Sequence, residues 1–237
     1  MKKCVIPVSG GIDSSTILYH VKKNRPEFEE IHTVTFDYGQ RHKREINSAI
    51  DVVLGMVNSH RVVNTDFIKQ LFTTSSLTND DIDVAKTADV LGDPQTVNYV
   101  PNRNMIMLSI CTGYAESIGA DTVFHGAAQV DSEAGYWDGT PEFLLNMNEI
   151  NSLNRRDRVQ IEAPLIDLSK QQIIKMGMDA DLDFNKTWTC YEGGQAACGR
   201  CTACSSRIKG FIDNGVIDPL DYEIDIPWDD YNCKPIK

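Results

Sequence analysis

Val8-Ser9-Gly10-Gly11-Ile12-Asp13-Ser14-Ser15-Thr16 follows one apolar run and precedes another. It sets two glycines and three serines around a single acid and contains no lysine. Where a strand ends in a tight turn and hands over to a helix, the unpaired N–H groups of the first helical turn point out of the turn. Glycines there remove side chains so that backbone can approach an anion, and Ser9, Ser14 and Ser15 add hydroxyl donors, so the stretch reads as a phosphate cradle. The G-x-x-x-x-G-K-[ST] loop of phosphoryl transfer needs a lysine on the terminal phosphates, and its absence disfavours kinase-like chemistry. An isolated Gly-Gly would be a mere turn. The whole S-G-G-x-D-S pattern between strand and helix favours a nucleotide.

Outward from this loop, strand and helix patterns alternate. Strands are expected at Cys4–Val8, Ile31–Phe36, His60–Asn64, Thr122–His125 and Val159–Glu162. Helices are expected at Ile12–Lys23, Arg41–Met56, Arg103–Ile118, Pro141–Leu153 and Leu168–Met176, the last with Ser169 as N-cap. This is the pattern of an α/β fold, a doubly wound parallel sheet with crossover helices. Residues 72–98, rich in Thr, Asp and Asn, read as a mobile loop or an excursion over a site. Near residue 180 the composition turns to Gly and Cys, which divides the chain into a nucleotide-binding domain, 1–180, and a C-terminal metal-binding lobe, 181–237. The stretch from Asp218 onward reads as an acidic tail on the surface.

The net charge of −11 over 237 residues repels polyanions, so a nucleic-acid partner is disfavoured. No run of about 20 apolar residues exists to span a bilayer. Met1-Lys2-Lys3 followed by Cys4–Val8 is too short for a signal peptide and breaks at once into Ser-Gly-Gly, so it reads as a first buried strand. Seven cysteines, four of them between Cys190 and Cys204, fit a reducing, cytoplasmic setting and a bound metal better than a disulfide framework.

Cys190-x7-Cys198-x2-Cys201-x2-Cys204 offers four thiolates within fifteen positions, with Gly193, Gly194 and Gly199 letting the backbone fold around an ion. Four soft ligands close a tetrahedral metal site whose expected role is to hold a lobe together. C-x2-C-x2-C also occurs around iron–sulfur clusters. A Gly-rich polar loop provides no apolar core for four metal-free thiols. Cys4 and Cys111 read as core residues, and Cys233 has no assigned role.

Five blocks run in order: S-G-G-I-D-S at 9–14, F-D-Y-G-Q-R-H at 36–42, V-P-N-R-N at 100–104, G-A-A-Q-V-D-S-E-A-G-Y at 126–136, and W-T-C-Y-E-G-G with C-G-R-C-T-A-C at 188–204. The first resembles the PP-loop of the ATP pyrophosphatase superfamily, and the set, spanning residues 4 to about 213, resembles the 7-cyano-7-deazaguanine (preQ0) synthase family. That resemblance implies a Rossmann-like, adenine nucleotide alpha hydrolase-like sheet, a structural zinc on Cys190, Cys198, Cys201 and Cys204, a homodimer, and ATP with magnesium. The implied reaction turns 7-carboxy-7-deazaguanine and ammonia into the nitrile, through an adenylated carboxylate and an amide. On this view Ser9, Gly10, Gly11, Asp13, Ser14 and Ser15 hold ATP phosphates and Arg103 clamps phosphate or carboxylate. Asp131, Tyr136 and Asp138 read the base edge and order ammonia. No glutaminase segment precedes the first strand, so ammonia is expected free or from a separate partner.

One departure carries a consequence. The family commonly has Tyr-Pro-Asp-Cys where this chain has Tyr136-Trp137-Asp138-Gly139. If the missing cysteine serves the second activation, the product is 7-amido-7-deazaguanine; if it only packs, Gly139 changes nothing. A PP-loop tRNA thiolase is the other enzyme that joins S-G-G-x-D-S to cysteines, and the acidic balance without a basic RNA-binding appendage counts against it. A metal-stabilised module that holds nucleotide without turnover is the non-enzymatic alternative.

Overall fold

The computed structural model describes residues 1–41, 43–84, 97–129, 131 and 136–236. Five parallel strands form the main sheet: β1 (Lys2–Pro7), β2 (Phe28–Asp37), β3 (Ser59–Asn64), β4 (Thr122–Phe124) and β5 (Gln160–Glu162). Their spatial order is β3-β2-β1-β4-β5, so the winding reverses between β1 and β4. Such a reversal opens a crevice at the carboxyl ends of the strands, and the loop 8–16 emerges from β1 into it.

Side-chain alternation explains why β1 is central. Cys4, Ile6 and Val8 enter one apolar core and Val5 the other, as a strand covered on both faces requires. The first face is covered by α1 (Ile12–Asn24), α2 (Arg44–Val53), α6 (Lys170–Asp179) and α7 (Thr202–Asp213); the second by α3 (Phe67–Leu71), α4 (Arg103–Ile118) and α5 (Pro141–Ser152). Helix ends follow local chemistry. Thr140 caps α5 by accepting from the Phe143 N–H, with Pro141 at its first position, and Ser169 with Gln172 makes a complete capping box on α6. Gly119, left-handed at φ 71°, ends α4.

The doubly wound parallel sheet and every expected strand and helix are present, with ends shifted by a few residues. Periodicity does not single out α3 or α7. Two segments differ from expectation. In the described part of 72–98, Ser75, Ser76, Leu77 and Thr78 are buried, and Ser76 donates from its hydroxyl to Asn98 and from its N–H to Val97. That part is a packed turn; residues 85–96 lie outside the described residues, as does His42. The acidic stretch from Asp218 is no simple surface tail either. Asp218 is 3% exposed and takes two hydrogen bonds from the equally buried Arg207 on α7, with Tyr222 donating at 2.6 Å. Arg207 also donates to the Thr187 hydroxyl at 2.9 Å and to the Phe184 carbonyl at 3.3 Å, so the pair ties α7 to the 184–189 segment.

An ion pair so enclosed is costly to break from one side, because the remaining charge is stranded without water. Asp218→Ala is expected to lower the unfolding free energy by about 3–5 kcal/mol in urea titration; a loss below about 1 kcal/mol, the range of a surface pair, would contradict this placement.

Candidate active site and metal centre

Gly10 has φ +83°, and a Cβ there would lie 2.4 Å from the Glu45 carbonyl oxygen and 2.7 Å from the Ala49 nitrogen. Its lack of a side chain is set by the passage of the loop against α2, a packing reason beyond the anion-approach argument. Gly11 caps α1 without a side chain, and its missing Cβ faces Thr189. The hydroxyls first organise the loop itself. Ser14 Oγ accepts from the Ser9 N–H at 3.1 Å and lies 3.1 Å from Ser9 Oγ, which in turn accepts from the Gly11 N–H at 3.3 Å. Ser9 is exposed. Ser15 Oγ is fully enclosed and unpartnered among the described residues, so Ser9 and Ser14 are the hydroxyls nearer the crevice.

The loop without a lysine has one supplied from elsewhere. Lys170, at the start of α6, donates to both Asp13 carboxylate oxygens at 2.6 and 2.8 Å. A cation in a first helical turn opposes the helix dipole, and that misfit is the signal by which Lys170 could have been noticed in the sequence.

Across the crevice, Arg103 opens α4 directly after Asn102, a left-handed residue at φ 54°. Its guanidinium lies 5.8 Å from the Tyr38 ring centroid. Burial works against its charge, but Tyr38, Tyr191, Asp138 and Glu45 around it outweigh burial and keep it protonated. Burial pushes the Glu45 carboxyl up to about 7 against the opposing pull of Arg103. Asp138, 3% exposed, is raised by burial and held back by Arg103 and by hydrogen bonds from Asn104. His125, at the end of β4, is lowered to about 4 by burial, hydrogen-bonds the Asp138 backbone, and stands edge-on to Phe143. Asp131 accepts from the Ala128 N–H at 2.9 Å. Its carboxyl is pushed up to about 6 by burial and by the Asp13 charge, with Lys170 and Arg103 acting the other way. The Asp131 carboxyl is thus influenced both by the Asp13–Lys170 pair of the loop and by Arg103.

The four cysteines converge. The Sγ atoms of Cys190, Cys198, Cys201 and Cys204 lie within 4.8 Å of one another and all are buried, Cys198 and Cys204 at 3.9 Å. A single ion with sulfur ligands at about 2.3 Å in tetrahedral array requires sulfurs about 3.8 Å apart, which this group matches; a four-iron cube holds its cysteine sulfurs farther apart. Backbone N–H groups of Glu192 and Cys198 point at Cys190 Sγ, and those of Arg200 and Cys201 at Cys198 Sγ, the outer hydrogen bonds that thiolate ligands take. The cluster reaches the loop through Trp188, which packs with the cysteines and whose backbone N–H donates to the Gly10 carbonyl at 2.8 Å.

A family model described as "Queuosine biosynthesis protein QueC" matches residues 3–215. The 7-cyano-7-deazaguanine synthase of Psychromonas ingrahamii is 41% identical over 222 residues, 94% of this chain and 98% of that protein. This chain belongs to the 7-cyano-7-deazaguanine synthase (QueC) family. Another member, from Thermoplasma acidophilum, is 41% identical over 228 residues, 94% of this chain and 92% of that one. Among solved structures, the U34-tRNA thiolase NcsA from Methanococcus maripaludis superposes with a TM-score of 0.51 at 15% identity, over 90% of this chain and 66% of that one; at that identity the likeness is one of fold.

A Cβ at 139 would sit 2.7 Å from the Asp131 Cβ, so Asp131 occupies the room a cysteine side chain would need. Asp131 also gives a pH signature. Its folded pKa of about 6 lies above the ordinary 3.8, so the folded chain binds its proton more tightly than the unfolded chain does. That contribution is whole below about pH 4 and is lost as pH rises through 6. Asp131→Asn is therefore expected to flatten the fall in unfolding free energy between about pH 4 and 7 in urea titrations; an unchanged slope would contradict the burial of this carboxyl.

Proposed function

We propose that this chain is an ATP-dependent carbon–nitrogen ligase that converts 7-carboxy-7-deazaguanine and ammonia to 7-cyano-7-deazaguanine. The observation that carries the reading is the similarity to named synthases along nearly the whole chain, with the S-G-G-I-D-S loop supplied with a cation by Lys170 on Asp13. A carboxylate resists attack because its charge is delocalised over both oxygens. Transfer of AMP to one oxygen, with pyrophosphate leaving, creates the electrophile; ammonia attacks, the amide forms and AMP departs with that oxygen. A second adenylation, on the amide oxygen, lets AMP leave again while the nitrogen loses its two protons, and C≡N remains. Both substrate oxygens end in AMP.

In this scheme the Ser9–Ser15 loop, with Gly10, Gly11 and Ser14, binds the phosphates, and Lys170 and Arg103 neutralise charge as pyrophosphate leaves. Both oxygens of Asp13 are engaged by Lys170, so magnesium is proposed to come with the nucleotide phosphates and to supply further neutralisation there. Asp131, Tyr136 and Asp138 accept from the ring and amino N–H groups of the base and from ammonia. The four cysteines hold zinc, a closed site that stabilises residues 181–237 as a lobe against the 1–180 domain. A cytoplasmic homodimer acting on a small molecule, without nucleic acid, completes the reading. Gly139, with no thiol to offer, favours a second reading that stops at 7-amido-7-deazaguanine.

Substrate carrying ¹⁸O in its carboxylate tests the chemistry. One labelled oxygen in each AMP is the expected result, and unlabelled AMP would exclude attack by the carboxylate on ATP.

A further inference from the structure

The chain leaves β4 through His125 and Gly126. A Cβ at Gly126 would lie 3.9 Å from the Ser14 nitrogen, so this strand end runs beside the first turn of α1. The His125 backbone stays in register with the sheet, its N–H donating to the Glu162 carbonyl at 2.7 Å. The residue is 8% exposed, and its ring stands 6.4 Å from that of Phe143 at 65°. The imidazole donates to the Asp138 backbone carbonyl. Nε2 is enclosed and has no partner among the described residues, so the donating atom is Nδ1. That fixes the tautomer, with the proton on Nδ1 and a bare lone pair on Nε2. Asp138 is thereby held at both ends. Its carboxylate accepts from the backbone and side-chain N–H groups of Asn104, in the first turn of α4, and interacts with Arg103, while its carbonyl accepts from His125. The turn itself is closed by the Gly139 N–H on the Tyr136 carbonyl at 3.0 Å and the Thr140 hydroxyl on the Trp137 carbonyl at 2.8 Å.

We propose that His125 is a positioning residue for the synthase reaction: its Nδ1–H, braced by Phe143, pins the Asp138 carbonyl and so sets the Asp138 carboxylate in register with Arg103. The inference rests on the reading of Asp138 and Arg103 as substrate-binding groups and adds the residue that holds them together. Packing alone does not account for a histidine here. An enclosed imidazole nitrogen without a partner is destabilising, and an apolar side chain of similar shape would avoid that cost. What an apolar side chain lacks is the one N–H that the buried Asp138 carbonyl needs. Burial also lowers the imidazole pKa to about 4, so at neutral pH the ring is uncharged and the same tautomer persists. Strand β4 and helix α4 therefore grip one residue from opposite sides, and releasing the strand side lets the carboxylate swing about its contacts with Asn104.

The test compares full-length variants by melting temperature, amide hydrogen exchange and steady-state kinetics. His125→Phe keeps a ring against Phe143 and removes the donor; His125→Leu, nearer to histidine in volume, is a second donor-free variant; His125→Asn places an amide N–H where Nδ1 stands. Both donor-free variants are expected to melt within about 2 °C of wild type, because the lost bond and the lost unpaired nitrogen offset each other. They are expected to speed exchange in the peptide 136–144 by about tenfold. KM for 7-carboxy-7-deazaguanine is expected to rise about tenfold, with a smaller fall in kcat and KM for ATP changed less than about twofold. His125→Asn is expected to restore both exchange and KM. Wild-type exchange and KM in the donor-free variants would overturn the proposal, as would an equal rise in KM for ATP or a His125→Asn protein no better than His125→Leu. If wild type converts no 7-carboxy-7-deazaguanine, the synthase reading falls, while exchange still decides whether His125 holds the Asp138 turn.

Discussion

Cys201→Ser is expected to lower the melting temperature by about 10 °C or more and to abolish turnover, the largest effect on stability of any substitution considered. Metal binding by four thiolates is folding free energy, on the order of 10 kcal/mol in small zinc domains, added to the pairing of Ala197 with Asp221 and Glu223 and to the Arg44 bond on Gly194 that also hold the segment 190–201. The consequence reaches the nucleotide loop. Trp188 packs on the cysteines and hydrogen-bonds the Gly10 carbonyl, while Arg44 stands 3.7 Å from the Trp188 ring centroid and donates to the Gly194 carbonyl at 2.7 Å. Loss of the ion therefore loosens the wall on which Gly10 and α2 meet. Cys111→Ser, in a helix remote from the cluster, should leave metal content unchanged. One zinc per chain by atomic emission in wild type and none in Cys201→Ser is the expected pair of readings. Bound iron with visible absorbance, or a Cys201→Ser protein of wild-type stability, would contradict the proposal.

Arg103→Leu is expected to lower kcat/KM by about a thousandfold, the scale of removing one preorganised group that meets developing charge. Arg103 interacts with Tyr38, Glu45, Asp138 and Tyr191, so its loss removes the cation that opposes protonation of Glu45 and Asp138. The Asp138 carboxyl, already raised by burial and held back by Arg103, rises further, and the acid limb of the pH–rate profile moves to higher pH. Arg103→Lys keeps charge but loses the planar fork and is expected to recover only part of the rate. A change in melting temperature without a shifted pH profile would mark Arg103 as structural only.

Much of this arrangement was legible from local chemistry. Helix α4 begins and ends as read because Asn102 and Gly119 provide left-handed stops, and α6 starts at a capping box written in Ser169 and Gln172. The four cysteines were recognisable because one residue type at short spacing has few other uses. What escaped depends on tertiary approach. Lys170 looks like an ordinary charged helix start until Asp13 is brought against it. Asp218 sits in an acidic stretch that resembles solvated surface, and only the arrival of Arg207 explains its burial. Glu45 and Tyr191 are ordinary residues in sequence, and they matter because both are brought to Arg103. Ser15 follows Ile12 and precedes Leu18 by three residues each, so helix periodicity turns it to the core face, where it is fully buried.

The most direct measurement is mass spectrometry of base and nucleotide products together, from protein incubated with 7-carboxy-7-deazaguanine, ammonia, magnesium and ATP. The account predicts 7-cyano-7-deazaguanine with AMP and pyrophosphate, two of each per nitrile; amide alone, with one of each, would limit Gly139 proteins to a single activation. An unchanged base and no pyrophosphate would contradict the central claim.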